Sequence, residues 1–196
     1  MQTTYTVGID PGSEKSGICL LKDKSIISAC IAANEKVFAT IKELIAGNPA
    51  TIVIEDIYPY STTLKPEVIK TCKFIGEISY RLRHLKAINV VFVPRNSVKK
   101  WIFDTFPSVC IGRIEKKINY LDGYRISKGK RGLRTKNGDL RKPSFQFIDD
   151  RIVISALKEL YNIPDPKPGK SNQYGLKAHS WQALAVASFH IFFVPS

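Results

Sequence analysis

The chain has 196 residues, 44% of them hydrophobic and 24% charged, which are ordinary values for one globular domain with a full core. Its formal net charge of +13 is not ordinary, because a protein this basic attracts polyanions, of which nucleic acid is the commonest. No apolar run approaches the ~20 residues of a membrane span, and no secretory leader pattern opens the sequence, so we expect a soluble intracellular protein. The cysteines are scattered with no Cys-x-x-Cys pair, which favours buried reduced thiols over disulfides or zinc: Cys19, Cys30, Cys72 and Cys110.

The first predicted elements are two strands joined by a tight turn. An apolar run from Tyr5 ends at Asp10, Pro11-Gly12 then reverses the chain, and a second apolar run starts at Ile18. This pattern predicts a β-hairpin with Asp10 at the end of its first strand. Aspartate is also common as the opening residue of such turns, so Asp10 taken alone could have only that role.

The rest of the chain alternates predicted strands and helices. We predict strands over 4–10, 17–22, 25–31, 51–55 and 88–93. Helices are predicted from an N-cap at Asn34 to Gly47, from Pro66 to about His84, and over 96–103, 144–161 and 178–192. This order predicts an α/β fold with a mixed sheet.

A second strand end is also acidic. The β-branched run that starts at Thr51 ends in Glu55-Asp56. If the two strands are neighbours, Asp10 and Glu55 lie side by side, and two close carboxylates repel unless a cation lies between them. Hard carboxylate oxygens at such a site suit Mg²⁺ or Mn²⁺.

A basic segment interrupts the pattern after the fifth strand. Between Arg113 and Lys142 there are eleven Lys or Arg residues against three acids. The glycine-rich centre of the segment cannot bury enough apolar area to be core, so we predict a mobile basic loop or hairpin. It is either a solvated surface or, as we favour, a contact to a phosphate backbone through Lys128, Lys130, Arg131 and Arg134.

Three motifs in this order resemble the RuvC-type Holliday junction resolvases of the RNase H-like superfamily. They are Gly8-Ile9-Asp10-Pro11-Gly12 with Gly17, the strand end Ile54-Glu55, and the small-residue helix from Gln182 to Ala187. Three further stretches are similar to the chloroplast and phage branches of that family: Val93-Pro94, Val98 to Trp101, and Phe106-Pro107. The resemblance implies an RNase H-like mixed five-stranded sheet flanked by helices. It implies a single domain over 1–196, with a basic flexible insertion at about 113–142.

The resemblance also implies roles for individual residues. Asp10, Glu55 and His179 match metal ligands, although a first-turn histidine can equally be an ordinary helix side chain. Tyr58 matches an aromatic side chain that stacks on bases at the junction centre, with a loop tyrosine covering the sheet edge as the alternative. Lys99 or Lys100 could hold the scissile region, and Lys100 is the predicted catalytic lysine.

Gln182 is the main departure from the family pattern. It lies three residues after His179, on the same helix face, where the family usually has an aspartate. Glutamine offers one neutral oxygen and therefore binds Mg²⁺ more weakly than a carboxylate does. We keep Gln182 in the predicted catalytic set.

The activity that the resemblance implies is hydrolysis of phosphodiester bonds in four-way (Holliday) DNA junctions. It implies Mg²⁺ as cofactor, with Mn²⁺ as a possible substitute, and a homodimer. We expect the protein in the cytoplasm, associated with the nucleoid, with an organelle or a virus as the alternative source. The alternative is a catalytically weakened RNase H-like protein that only binds DNA. A third interpretation is an RNase H-like nuclease for another nucleic acid. Dimer contacts are predicted on the helix from Pro66, whose apolar residues exceed one buried face: Phe74, Ile75, Ile78 and Leu82.

Overall fold

The computed structural model describes residues 5–57, 65–127, 132–135, 137–165, 172 and 174–193. The chain divides into two compact units, Met1–Val98 with Pro164–Ser196, and Lys99–Ile163. That both units belong to one nuclease domain stays a prediction. Within the described ranges, no helix is both long enough and apolar enough to cross a membrane.

The first unit contains one five-stranded mixed sheet, as the sequence predicts. Its strands are β1 (Tyr5–Asp10), β2 (Lys15–Lys22), β3 (Ser25–Ala33), β4 (Ala50–Asp56) and β5 (Ile88–Pro94). The strand order is β3-β2-β1-β4-β5. β1, β2 and β3 form antiparallel pairs, whereas β4 runs parallel to both β1 and β5.

Six α-helices occur in the described residues. They are α1 (Asn34–Ile45), α2 (Pro66–Arg83), α3 (Arg95–Thr105), α4 (Pro107–Ser127), α5 (Asp150–Leu160) and α6 (His179–Phe193), with a 3₁₀ turn at Phe145–Phe147. In the first unit, α1 leads from β3 to β4 and α2 precedes β5, because parallel strands need a crossover connection. The helix predicted over 144–161 is shorter than expected, because it starts only after Asp149, whose side chain accepts the N–H of Ile152 at 3.2 Å.

Side-chain alternation along the strands gives the sheet two covered faces. On one face, four aliphatic side chains belong to the core that α1 and α2 complete: Val7, Ile9, Ile52 and Ile54. On the opposite face α6 contacts β1, β2 and β4. Every residue from Ser180 to Phe189 is buried. A helix buried on all sides is expected to be apolar all round, which explains why alanines alternate with larger apolar residues in α6.

The four α2 side chains on which dimer contacts were predicted belong to this core or pack against it. Ile75, Ile78 and Leu82 are buried in it, and Phe74 packs against it partly buried. These four side chains therefore give no support to dimer contacts on α2, and the surface that would form a dimer stays a prediction.

In the second unit, α4 corrects the prediction of a basic flexible insertion at 113–142. Residues 113–127 belong to a 21-residue helix. An i, i+4 stripe of this helix is buried: Cys110, Ile114, Ile118 and Asp122. Arg113, Lys116 and Lys117, which were counted in the predicted loop, belong to this helix.

A specific contact also ties Leu133 and Arg134 to α4. The carboxylate of Asp122, which is buried, accepts the N–H of Leu133 at 2.6 Å and pairs with the guanidinium of Arg134 at 3.1 Å. Arg134 in turn forms an isolated β-bridge with Leu140. Arg134 therefore supports the fold of the second unit, whereas the sequence placed it in a loop outside any core.

The prediction of buried thiols holds for Cys19 and Cys110 only, because Cys30 is half-buried and Cys72 is exposed. Cys19, Cys30, Cys72 and Cys110 are all free. Burial raises the pKa of Cys110 to about 11 and also raises the pKa of Cys19. Both thiols are therefore protonated and unreactive at neutral pH.

Candidate active site

The register of the sheet places two acids side by side. β1 and β4 pair in parallel from Tyr5 and Ala50 up to Ile9 and Ile54. The next residue on each strand is an acid, Asp10 on β1 and Glu55 on β4. Both are buried, with 4% and 2% of their surfaces exposed. Buried carboxylates this close need nearby positive charge, because neither is solvated by bulk water.

Both acids lie on the sheet face that α6 covers. Side chains alternate along a strand, so Asp10 shares its face with Gly8. A Cβ at Gly8 would overlap the carbonyl oxygen of Ala183 in α6, so the helix touches the sheet there. Glu55 lies on the same face, because it occupies the register position beside Asp10.

Gly17 allows the start of α6 to lie over the acidic strand ends. Gly17 is the partner of Asp10 across the β1–β2 hairpin. A Cβ at Gly17 would overlap the backbone carbonyl of His179, the first residue of α6. Any other residue at Gly17 would push the helix away from the sheet, which gives a physical reason for the glycine in this motif.

His179 contacts the first acid directly. Its Nδ1 lies 2.7 Å from Oδ2 of Asp10. A carboxylate only accepts hydrogen bonds, so Nδ1 carries the proton, and in the neutral ring Nε2 carries the lone pair. This contact orients the imidazole at the acidic strand ends.

Glu55 has a cationic neighbour, Arg95, that sequence patterns alone do not single out. Nη1 of Arg95 lies 3.7 Å from Oε2 of Glu55. Arg95 begins α3 directly after Pro94, which pairs with Asp56 at the end of β4. One sequence signal could have identified Arg95. It is a basic residue directly after β5, the strand that lies beside β4.

A hydrogen-bonded turn holds Asp10 in place. Oγ of Ser16 donates to Oδ1 of Asn34 at 2.7 Å, and Nδ2 of Asn34 donates to the carbonyl of Gly12 at 3.0 Å. Asn34 is not the N-cap of α1 as predicted: Ala33 occupies that position without a side-chain cap. The Asn34 side chain instead ties the turn after Asp10 to the start of α1.

Gln182 completes the set of predicted residues on α6. It lies three residues after His179 and is 7% exposed. Its amide carries no charge, so the buried negative charge of the site comes from Asp10 and Glu55. Arg95 offsets one of these two charges, and one net negative charge is left when His179 is neutral.

The donor set fits a hard divalent cation in part. Asp10 and Glu55 offer carboxylate oxygens, which Mg²⁺ and Mn²⁺ prefer, and their charge is only half offset. Over the described residues, however, no group of three His, Cys, Asp or Glu side chains is arranged to hold a metal. The predicted three-ligand set of Asp10, Glu55 and His179 is thus not preformed, and the two carboxylates are the residues that would hold the ion.

The predicted basic and aromatic residues have several locations. Lys99 and Lys100 belong to the second unit, where Nζ of Lys100 pairs with Asp104 at 2.6 Å on α3. Arg134 pairs with Asp122, as described above. Four predicted residues lie outside the described ranges: Tyr58, Lys128, Lys130 and Arg131.

Two solved structures of a bacterial protein have a similar architecture. Thermus thermophilus RuvC in complex with a Holliday junction substrate superposes with a TM-score of 0.55 at 12% sequence identity, covering 97% of this chain and 94% of that chain. A second structure of Thermus thermophilus RuvC gives a TM-score of 0.50 at 13% identity, with coverage of 96% and 94%. No family model and no curated protein matches the sequence. The chain therefore has the α/β fold of RuvC, an RNase H-like mixed sheet flanked by helices.

Proposed function

We propose that this protein is a metal-dependent endonuclease that cleaves branched DNA, with four-way junctions as its substrate. The observation that carries this proposal is the pair of buried carboxylates, Asp10 and Glu55, at adjacent strand ends of a RuvC-like sheet. The net charge of +13 suits a polyanionic substrate. The Thermus protein with the same fold is bound to a Holliday junction, which supports branched DNA as the substrate class.

Each residue of the candidate site has a defined part in the proposed reaction. Asp10 and Glu55 would hold a divalent cation, Mg²⁺ or Mn²⁺, which when bound activates water and offsets phosphate charge. His179, held by Asp10 through Nδ1, can exchange a proton at Nε2. Arg95 is 42% exposed beside Glu55 and supplies positive charge for a phosphate oxygen.

The proposal extends to assembly and location. A four-way junction needs two matched cuts, and a homodimer with two-fold symmetry supplies two equivalent sites. We keep the cytoplasm, near the nucleoid, as the proposed location. Base stacking by Tyr58, catalysis by Lys100, phosphate contact by Lys99, and kinship with the chloroplast and phage branches stay predictions.

A specific observation favours the second candidate function, a catalytically weakened DNA-binding protein. Gln182 is neutral and buried on the helix turn that starts at His179. Arg95 already offsets part of the charge that would attract a cation. Both features weaken metal binding relative to a site with a third carboxylate.

Cleavage of a synthetic four-way junction tests the proposal. We expect the native protein to cut in Mg²⁺ or Mn²⁺, and Asp10→Asn and Glu55→Gln each to abolish cutting. Junction binding should persist or tighten, because each change removes negative charge that opposes the phosphates. Glu43→Gln, at an exposed acid on α1, is the matched control and should cut normally.

The outcomes separate the two candidate functions. If either active-site variant cuts at nearly the native rate, that residue is not part of the site. If the native protein binds junctions tightly but cuts with neither metal, it is the DNA-binding protein.

A further inference from the structure

A groove on the second unit combines positive charge with an exposed aromatic ring. It lies between α4 and α5 and has a volume of about 550 Å³. Four cationic side chains line it: Arg113, Lys116, Lys117 and Arg151. The groove belongs wholly to the second unit and contains none of the residues of the candidate active site.

The charge of the groove is strongly positive. Asp149 is the one acid among its described lining residues, so four positive charges face one negative charge. Nζ of Lys117 lies 2.8 Å from Oδ2 of Asp149 and 3.1 Å from the carbonyl oxygen of Phe147. Burial by itself raises the pKa of Asp149, but hydrogen bonds from Lys117 and the N–H of Ile152 outweigh burial and lower that pKa. Lys117 and Asp149 therefore neutralise each other in the wall of the groove. The net charge of +3 comes from Arg113, Lys116 and Arg151.

Tyr120 adds a flat apolar surface to this charge. It lines the groove and is 70% exposed, so its ring is accessible to a ligand. Tyr124, one helical turn later, is also exposed, and the two rings are 6.4 Å apart and nearly parallel, at 13°. The shared helix face thus carries two rings in similar orientation next to cations.

The combination selects one class of ligand. Cations alone would fit any polyanion, including the backbone of duplex DNA. Exposed rings add affinity for an unpaired base, whose π-face is accessible, whereas the bases of a duplex are stacked on each other. An unpaired strand satisfies both features at once, because its phosphates follow the bases at short spacing.

We propose that the α4–α5 groove binds an unpaired DNA strand, with phosphates on Arg113, Lys116 and Arg151 and a base stacked on Tyr120. This inference rests on the proposed function for the identity of the polymer, but not on cleavage. Branched DNA that carries a fork, a flap, a gap or a single-stranded end presents unpaired bases beside its duplex arms, so the groove would bind that part of the substrate class.

Fluorescence anisotropy with a labelled oligo(dT) strand tests the inference. The full chain is used in EDTA, so that no cutting occurs. We expect Tyr120→Ala to weaken binding at least about five-fold, the lower end of the loss of one base–aromatic stack. Tyr120→Phe should stay within about two-fold of the native protein, because stacking needs the ring and not the hydroxyl. Lys116→Gln should reduce the salt dependence by about 0.7 in log–log slope, the value for one phosphate of a single strand that is no longer neutralised.

Matched controls make the result specific. Tyr80→Ala removes a ring that is similarly exposed on α2, where it is tilted over His84, and should leave binding unchanged. Tyr120→Ala should weaken binding of a duplex of equal length much less than binding of oligo(dT). Equal losses of affinity for strand and duplex, or native affinity in Tyr120→Ala, would overturn the inference. It is also overturned if sedimentation shows that Tyr120→Ala dissociates an oligomer, since the rings would then join copies of the chain.

The two proposals fail in distinguishable ways. If the protein cuts junctions but Tyr120→Ala does not weaken oligo(dT) binding, only the inference about the groove is wrong. A protein that binds oligo(dT) through Tyr120 and never cuts refutes the nuclease alone.

Discussion

At the scale of single residues, the candidate site is a balance of charge around Asp10 and Glu55. Arg95 contributes a permanent positive charge 3.7 Å from Glu55, and His179 contributes an imidazole 2.7 Å from Asp10. Gln182 contributes neither charge nor a carboxylate oxygen. A carboxylate at residue 182, three residues after His179, would add a buried negative charge to the start of α6.

Gln182→Asp tests the effect of this charge. A third buried carboxylate should repel the other two when no metal is present. We expect the unfolding temperature in EDTA to fall by about 2–4 °C, the shift that accompanies a destabilisation of about 1 kcal/mol in a chain of this size. Saturating Mn²⁺ should raise the unfolding temperature more in the variant than in the native protein, since a tighter ligand stabilises the folded state more. Cleavage should become faster, most clearly at low Mg²⁺.

Gln182→Asn is the control, because it shortens the side chain without adding charge.

The native protein should cleave junctions faster in Mn²⁺ than in Mg²⁺, since Mn²⁺ accepts a nitrogen ligand such as His179 more readily. A native protein that cuts rapidly in Mg²⁺ and is slowed by Gln182→Asp would show that the glutamine is an adapted part of the site.

At the scale of elements, close packing of α6 on β1 and β2 places the active-site residues. Gly8 and Gly17 are the points of closest approach, and a Cβ at either would overlap backbone atoms of the helix. Backbone cannot move aside as a flexible side chain can. We expect Gly8→Ala and Gly17→Ala each to lower the free energy of unfolding by about 1–3 kcal/mol, the usual cost of overpacking. Urea unfolding measures this decrease.

Gly17→Ala should also slow cleavage by more than its lower stability explains, because it displaces His179. Gly76→Ala is the matched control: Gly76 lies in α2 with open space around its Cβ position. This substitution should stabilise the protein by up to about 1 kcal/mol through helix propensity. A Gly17→Ala variant as stable and active as the native protein would show that α6 is not anchored there.

The elements also show what the sequence can and cannot predict. The strand ends of Asp10 and Glu55 were predictable, because short apolar runs that end in acid are a local pattern. Helix α4 was not predicted, because its many cations were taken to indicate a loop. The i, i+4 spacing of apolar residues from Cys110 to Ile118 indicates a helix instead. The ion pair of Arg95 with Glu55 depends on the pairing of β5 with β4, which no local pattern contains.

At the scale of the whole molecule, the net charge of +13 acts beyond any one site. Exposed cations of both units attract a polyanion over about one Debye length, ~8–10 Å at physiological salt. Affinity for DNA then depends on salt through the number of phosphates that cations neutralise. Total charge and specific phosphate binding can be separated, because variants of equal charge need not neutralise equal numbers of phosphates.

A pair of triple variants makes this separation for the basic segment. Lys128, Lys130 and Arg131 are changed to Gln together, while Arg134 is kept because it pairs with the buried Asp122. The control changes three exposed lysines of the first unit to Gln: Lys70, Lys73 and Lys86.

Both variants carry the same reduced charge, but only the first should neutralise fewer phosphates of the DNA. For junction binding in EDTA, we expect its log–log salt slope to fall by about 0.9 for each phosphate that is no longer neutralised, with the control close to the native slope. Urea unfolding should be unchanged in both variants, because Arg134 and its ion pair with Asp122 are intact. If the two variants have equal salt slopes, the basic segment is a solvated surface that binds no particular phosphates. Only the total positive charge of the molecule would then attract the DNA.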